Sequence, residues 1–120
     1  MGQINNFQDL EVWQRAHQLV LAVYQTTKHF PIDEKYGLVS QMRRAAVSIP
    51  ANIAEGFKRR GQADKMRFYN TGETSLEELK YYFILSKDLA YLADTEQLMA
   101  DAETVSRLLY RLIESINRRR

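Results

Sequence analysis

Residues 38–60 read LVSQMRRAAVSIPANIAEGFKRR, and this stretch decides the fold. Leu38, Met42, Ala45, Ile49, Ile53 and Gly56 step along it by four and three. That spacing lines one face of an α-helix and does not fit the alternation of a strand. The stripe passes through Pro50 without losing step. Proline lacks an N–H and crowds the carbonyl four residues back, here that of Ala46, so a kink is expected and not a break. A polar line runs beside the stripe: Gln41, Arg44, Ser48, Asn52, Glu55 and Arg59, again at helical spacing. On an outer face such residues are simply solvated. Against a neighbouring helix or subunit, Asn52 and Glu55 need hydrogen-bond partners, and the line is read as a structural polar seam in preference to a reactive site.

The same period extends outward in both directions. A first helix is expected over roughly residues 9–30, with Asn6 placed to cap it and Pro31 to stop it. The second opens near Asp33 and Glu34, acids suited to the positive end of a helix dipole, and runs to about Arg60, ahead of Gly61. The third spans about 63–92 and carries Gly72, Leu76, Leu79, Phe83, Ser86 and Ala90 on one face. The fourth opens at Asp94-Thr95-Glu96-Gln97, a cap with a Gln three residues on, and carries Leu98, Ala102, Val105, Leu109, Leu112 and Ile116. Long helices joined by short loops favour antiparallel neighbours. The reading is therefore all-α: one up-down-up-down four-helix bundle over residues 1–120, its second helix kinked near Pro50.

Composition agrees. A chain of 120 residues that is 45% hydrophobic and 27% charged suits one globular domain. Five Gly and two Pro are too few for the turns of an all-β fold. With no Cys, disulfides, thiolate metal sites and Cys nucleophiles are excluded.

Charge is small in sum, +2, but uneven. Lys58, Arg59, Arg60, Lys65 and Arg67 cluster against the single acid Asp64. Arg107, Arg111, Arg118, Arg119 and Arg120 cluster against Glu114. Residues 68–106 between them hold eight acids and only Lys80 and Lys87. In an up-down-up-down bundle both basic clusters reach the same end, while Asp33, Glu34, Asp94 and Glu96 mark the other. Phe57, Phe68 and Tyr69 flank the first cluster, and cations interleaved with aromatics suit a nucleic-acid backbone with stacked bases. Lys58, Arg59, Arg60, Lys65, Arg67, Arg118, Arg119 and Arg120 are thus the candidate nucleic-acid-binding residues. Cations at helix C-termini also complement the helix dipole, so a purely structural role stays open for them.

Two helices carry more apolar surface than one core needs. Leu10, Val12, Trp13, Ala16, Leu19, Val20, Leu21, Val23, Tyr24 and Phe30 spread over about 200° of the first helix, at ~100° per residue. The run from Tyr81 to Leu85, with Leu89, Tyr91 and Leu92, is apolar nearly all round. The excess predicts self-association. Signs of catalysis are sparse. His17 and His29 point about 120° apart on one helix, and Glu73 and Glu77 lack the Glu-x-x-His pattern of di-metal bundles. Ser48 and Ser75 have no evident base. No enzyme, metal or cofactor is expected. The longest apolar-rich runs fall far short of a membrane span of ~20 residues, and the N-terminal residues lack the order of a secretion signal, so a cytoplasmic location is expected.

Four strings in the first half of the chain carry a family likeness: Phe7-x-x-Leu10-x-Val12-Trp13, Phe30-Pro31-x-x-Glu34-x-Tyr36-Gly37-Leu38, Gln41-x-Arg43-Arg44-Ala45-Ala46, and Ser48-Ile49-Pro50-x-Asn52-Ile53-Ala54-Glu55-Gly56. With them the chain closely resembles the four-helix bundle family of 23S rRNA intervening-sequence proteins. The resemblance implies a cytoplasmic bacterial bundle that assembles as a homopentamer and has no established biochemical activity. A related group, the accessory variability determinants of diversity-generating retroelements, forms basic pentameric barrels that bind a reverse transcriptase and nucleic acid. The expectation is a non-enzymatic homo-oligomer, a pentamer, that binds RNA or DNA through its basic end. The alternative is a protein-interaction adaptor that binds no nucleic acid.

Overall fold

Pro31 sets the first corner. In the computed structural model, which describes residues 4–118, the first helix α1 covers Glu11–Thr27 and ends ahead of that proline. It also begins later than residue 9. Phe7–Asp9 form a 3₁₀ turn closed by the Leu10 N–H on the Phe7 carbonyl at 3.0 Å, and the Asn6 side chain caps nothing. At the far end of α1 the Thr27 hydroxyl donates back to the Val23 carbonyl at 2.8 Å. Arg43 reaches over from the next helix: Nε donates to Thr27 Oγ1 at 3.0 Å, and the guanidinium lies 4.5 Å from the centre of the Tyr24 ring. A cation at that point faces the negative end of the α1 dipole.

The second helix, α2, is Leu38–Lys58 and does not open at Asp33 and Glu34. Those acids lie in a separate 3₁₀ turn, Ile32–Glu34, because Pro31 starts the chain in extended geometry. Glu34 still serves the helix start, from one turn upstream. Its Oε1 accepts the Leu38 N–H at 3.0 Å and its Oε2 accepts the Tyr91 hydroxyl at 2.8 Å. The Leu38 N–H and then the Tyr91 hydroxyl hold the Glu34 carboxyl below the usual carboxylate range. The same bond to Glu34, more than burial, pushes the Tyr91 phenol up. Gly37 leaves room for this arrangement, since a Cβ there would stand 2.8 Å from Glu34 Oε1. Beyond it, α2 runs unbroken through the buried Pro50, and all six residues of its apolar stripe are buried.

The third helix, α3, is Gln62–Asp88 and stops four residues short of Leu92. Ala90, expected on its inner face, instead leaves the helix with φ 64°. Its N–H donates to the Lys87 carbonyl and that of Tyr91 to the Ser86 carbonyl, both at 2.9 Å. This is the Schellman closure, which ordinarily uses glycine at the left-handed position. Ala90 is exposed, so its methyl gains little from packing. Replacing Ala90→Gly should stabilise the protein by about 1 kcal/mol by removing the Cβ clash of the left-handed conformation. A rise of a few degrees in the thermal midpoint, read by circular dichroism, is the expected result; a fall would mean that the turn is not held left-handed in solution.

The fourth helix, α4, is Glu96–Asn117. Asp94 Oδ1 accepts the Glu96 N–H at 3.3 Å just ahead of it. Leu98, Ala102, Val105, Leu109, Ile113 and Ile116 form its buried face, with Ile113 in the place expected for Leu112, which is only half-buried.

Gln41 meets Tyr82, Ser48 meets Ser75, and Gly56 faces Tyr69, so α2 and α3 run antiparallel. Gln62 with Ile116 and Lys80 with Glu103 show the same for α3 and α4. Each helix packs on its two neighbours in a ring α1–α2–α3–α4, and among the described residues the backbones of diagonal pairs do not come close. The bundle measures 47 × 24 × 20 Å. Its core is apolar except for Thr27 and Ser86, whose hydroxyls are spent on backbone carbonyls one turn back. Among the described residues no helix is long and apolar enough to cross a membrane.

Candidate nucleic-acid interface

The turn between α2 and α3 is three residues long, Arg59, Arg60 and Gly61, and it projects cations because a helix C-terminus favours them. The Gln62 side-chain amide donates to the Ile116 carbonyl at 3.3 Å. That bond sets the end of α4 against the start of α3, so Arg118 stands at the same end of the bundle as the turn. Arg119 and Arg120 lie outside the described residues.

The cations at this end differ in what they already do. Lys65 is half-buried and donates from Nζ to the carbonyls of Gly56 and Phe57, at 3.0 and 2.9 Å. It satisfies the last carbonyls of α2 and is part of the fold. Arg59 pairs with Glu55 at 3.1 Å, and Arg67 with Asp64 at 3.5 Å. Both guanidiniums also lie over the Phe68 ring, 4.7 and 4.6 Å from its centre. Lys58, Arg60 and Arg118 are exposed and have no ion-pair partner among the described residues. The aromatics beside these cations are already engaged within the fold. Tyr69 is 1% exposed and belongs to the core. Phe57 and Phe68 are half-buried, with Lys65 over the first ring and two arginines over the second.

The polar line of α2 divides into separate pieces. Ser48 Oγ and Ser75 Oγ share a hydrogen bond of 2.7 Å, and Asn52 Nδ2 donates to the Ser48 carbonyl and hydroxyl at 2.7 and 2.9 Å. These three form a half-buried seam between α2 and α3. Gln41 accepts from the Tyr82 hydroxyl at 3.4 Å at its exposed upper end, and Glu55 and Arg59 pair with each other at its lower end. Arg44 is exposed and lines a groove shared with α1. Ser75, the partner that completes the seam, has a signal in the chain: it lies about as far after the Arg60–Gly61 turn as Ser48 lies before it.

Elsewhere Lys80 is drawn inward between Glu103 at 2.8 Å and Glu77 at 3.5 Å, and it holds the Glu103 carboxyl low. Burial, and then the bond to Glu78, pushes the Tyr82 phenol up. His17 stacks flat on Trp13 at 5.1 Å, which is packing. Among the described residues no three His, Asp or Glu side chains are grouped to hold a metal ion.

A family model for 23S rRNA-intervening sequence proteins matches residues 8–111. The chain belongs to that family. No curated protein matches it. The matched span of this intervening-sequence protein takes in α1, α2, α3 and most of α4, with Lys58 at the end of α2 and Arg60 in the turn after it, and stops before Arg118. Most of its motif residues now have structural work. Glu34 and Gly37 start α2, Arg43 closes α1, Ser48 and Asn52 seam α2 to α3, and Gly56 admits the Tyr69 ring. Tyr36, 88% exposed, and the exposed Arg44 are not among them.

Proposed function

We propose that this intervening-sequence-family bundle is a non-enzymatic homo-oligomer, a pentamer as the family likeness implies, that binds RNA or DNA through its basic end. The observation that carries the reading is the Gln62–Ile116 bond, which brings the end of α4, with Arg118, against the start of α3 beside the first basic cluster. Lys58, Arg60 and Arg118 supply phosphate contacts, with Arg59 and Arg67 held beside them over Phe68. Because cations already cover the rings of Phe57 and Phe68, recognition is of the backbone and not of stacked bases. The bundle then takes single and double strands with little preference for sequence. Each protomer offers few cations, so binding is weak for one chain and strong for an assembly through avidity. The hydroxyls of the seam are engaged, since Ser48 and Ser75 bond each other and Asn52 bonds Ser48.

The test is a titration of the full chain against short single- and double-stranded RNA and DNA at two salt concentrations. The triple variant Lys58→Gln, Arg60→Gln, Arg118→Gln should bind roughly tenfold or more weakly, and its log–log salt slope should flatten by ~0.7–0.9 for each phosphate it no longer neutralises. Its thermal midpoint should not move, since these side chains make no ion pairs among the described residues. Lys65 is left intact because its loss would disturb the end of α2. Absence of wild-type binding at low salt overturns the nucleic-acid reading and leaves the protein adaptor. Unchanged binding by the variant moves the site to another surface.

A further inference from the structure

The wide apolar arcs are only partly used by the monomer core, and what remains exposed falls on two faces of opposite charge. On α1 and α2, Leu21 is 48% and Val47 42% exposed, and Tyr24 stands beside them. Tyr24, Tyr36 and Val47 line a concave groove of about 600 Å³ together with Lys35, Arg43 and Arg44, and no acid lines it. On α3 the exposed stripe is Glu77, Tyr81, Ile84 and Asp88, at helical spacings of four, three and four. Tyr81 is 55% and Ile84 50% exposed, with an acid at each end of the pair. Of the two cations nearest this stripe, Lys80 is turned inward between Glu103 and Glu77, and Lys87 is exposed beside Asp88.

We infer that the α1–α2 groove of one copy receives the Tyr81–Ile84 face of α3 from the next copy, and that this contact closes a ring of parallel subunits. The inference rests on the homo-oligomer of the proposed function and names the surfaces that build it. Apolar side chains meet at the centre, and Lys35 and Arg44 face Glu77 and Asp88 at the rim, which gives both burial and charge complementarity. The two faces differ, so the contact is head-to-tail, and such contacts make either closed rings or open filaments. Height decides between them. The Gln41–Tyr82 and Ser48–Ser75 contacts set Arg44 and Val47 level with α3 between residues 75 and 82, and the Arg43–Tyr24 contact sets Tyr24 at the same level. Tyr81 and Ile84 begin there. One face is therefore carried onto the other by rotation about an axis along the bundle, with little translation, and rotation without translation closes. Every basic end then lies on one rim of the ring.

The experiment uses two variants of the full chain. Arg44→Glu with Val47→Ser spoils the groove, and Ile84→Arg spoils the α3 face; Arg44→Glu alone and Tyr81→Arg serve as second versions of each. All of these positions are exposed, and retained helicity confirms that the variants fold. By sedimentation the wild type should run at several times 14.1 kDa and each variant as a monomer. An equimolar mixture of the two variants should give a species of about twice the monomer mass, because each keeps the face that the other has lost. A monomeric wild type overturns the homo-oligomer reading itself. An assembled wild type overturns only the assignment of faces if either variant stays assembled or if the mixture stays monomeric.

Discussion

Gly56→Leu should destabilise the bundle by about 2 kcal/mol and lower its thermal midpoint by several degrees. Gly56 lies on the inner stripe of α2, and the ring of Tyr69 on α3 is laid against its bare Cα. A Cβ at this position would stand 2.7 Å from Tyr69 Cδ1 and run into Cε1. Nothing can give easily, because the ring is 1% exposed and packed on all sides. A glycine so deep in a helix costs roughly 1 kcal/mol in propensity against alanine, so close approach of the two helices is what it offers in return. Gly56→Ala sets that propensity gain against the displaced ring and should fall between wild type and leucine. The measurement is equilibrium unfolding of the three proteins. An unchanged midpoint for leucine would mean that the Tyr69 ring can leave its place at no cost.

The complementary substitution, Tyr69→Ala, should cost about 4 kcal/mol, the largest effect expected here. It removes one of the largest fully buried side chains and opens a cavity against Gly56. The two positions touch, so their effects should not add. The double variant Gly56→Leu, Tyr69→Ala should be less destabilised than the sum of the two, since leucine enters the space that the ring vacates. Strict additivity would show that the contact is not the source of either loss. The substitution also separates structure from binding. A base-stacking tyrosine would lose nucleic-acid affinity on replacement while the melting temperature held, whereas a core tyrosine loses stability first.

Gly56 and Tyr69 also mark how far the chain is legible. Gly56 stands in phase with Ile49 and Ile53, so its burial follows from spacing alone. Tyr69 sits in a run of cations and aromatics that suits a nucleic-acid surface equally well, and only the approach of α2 moves it from surface to core. Lys65 behaves in the same way. In sequence it is one more cation of the basic cluster, but in the fold it closes α2 through the carbonyls of Gly56 and Phe57. The helix ends are the least legible. Asp33 and Glu34 suggest a start and Leu92 an end, but Glu34 caps from a turn upstream and Ala90 leaves α3 in a left-handed turn that its residue type does not announce.

What the chain determines by itself is periodic. Apolar residues every three or four positions dictate four amphipathic helices, short connections dictate antiparallel neighbours, and the blocks of charge dictate a basic and an acidic end. Each follows from local spacing and holds whatever the partners are. What only the tertiary structure decides is which polar groups are spent. Ser48 needs Ser75, Glu34 needs Tyr91, Arg43 needs Thr27, and Lys80 needs Glu103, pairs separated by 16 to 57 residues. A side chain counts as free for function only after such partners have been claimed, and the claim depends on helix register, which is set by packing. That is why the sequence marks the basic end, while the fold distinguishes Lys58, Arg60 and Arg118, which have no ion-pair partner among the described residues, from the cations already in use.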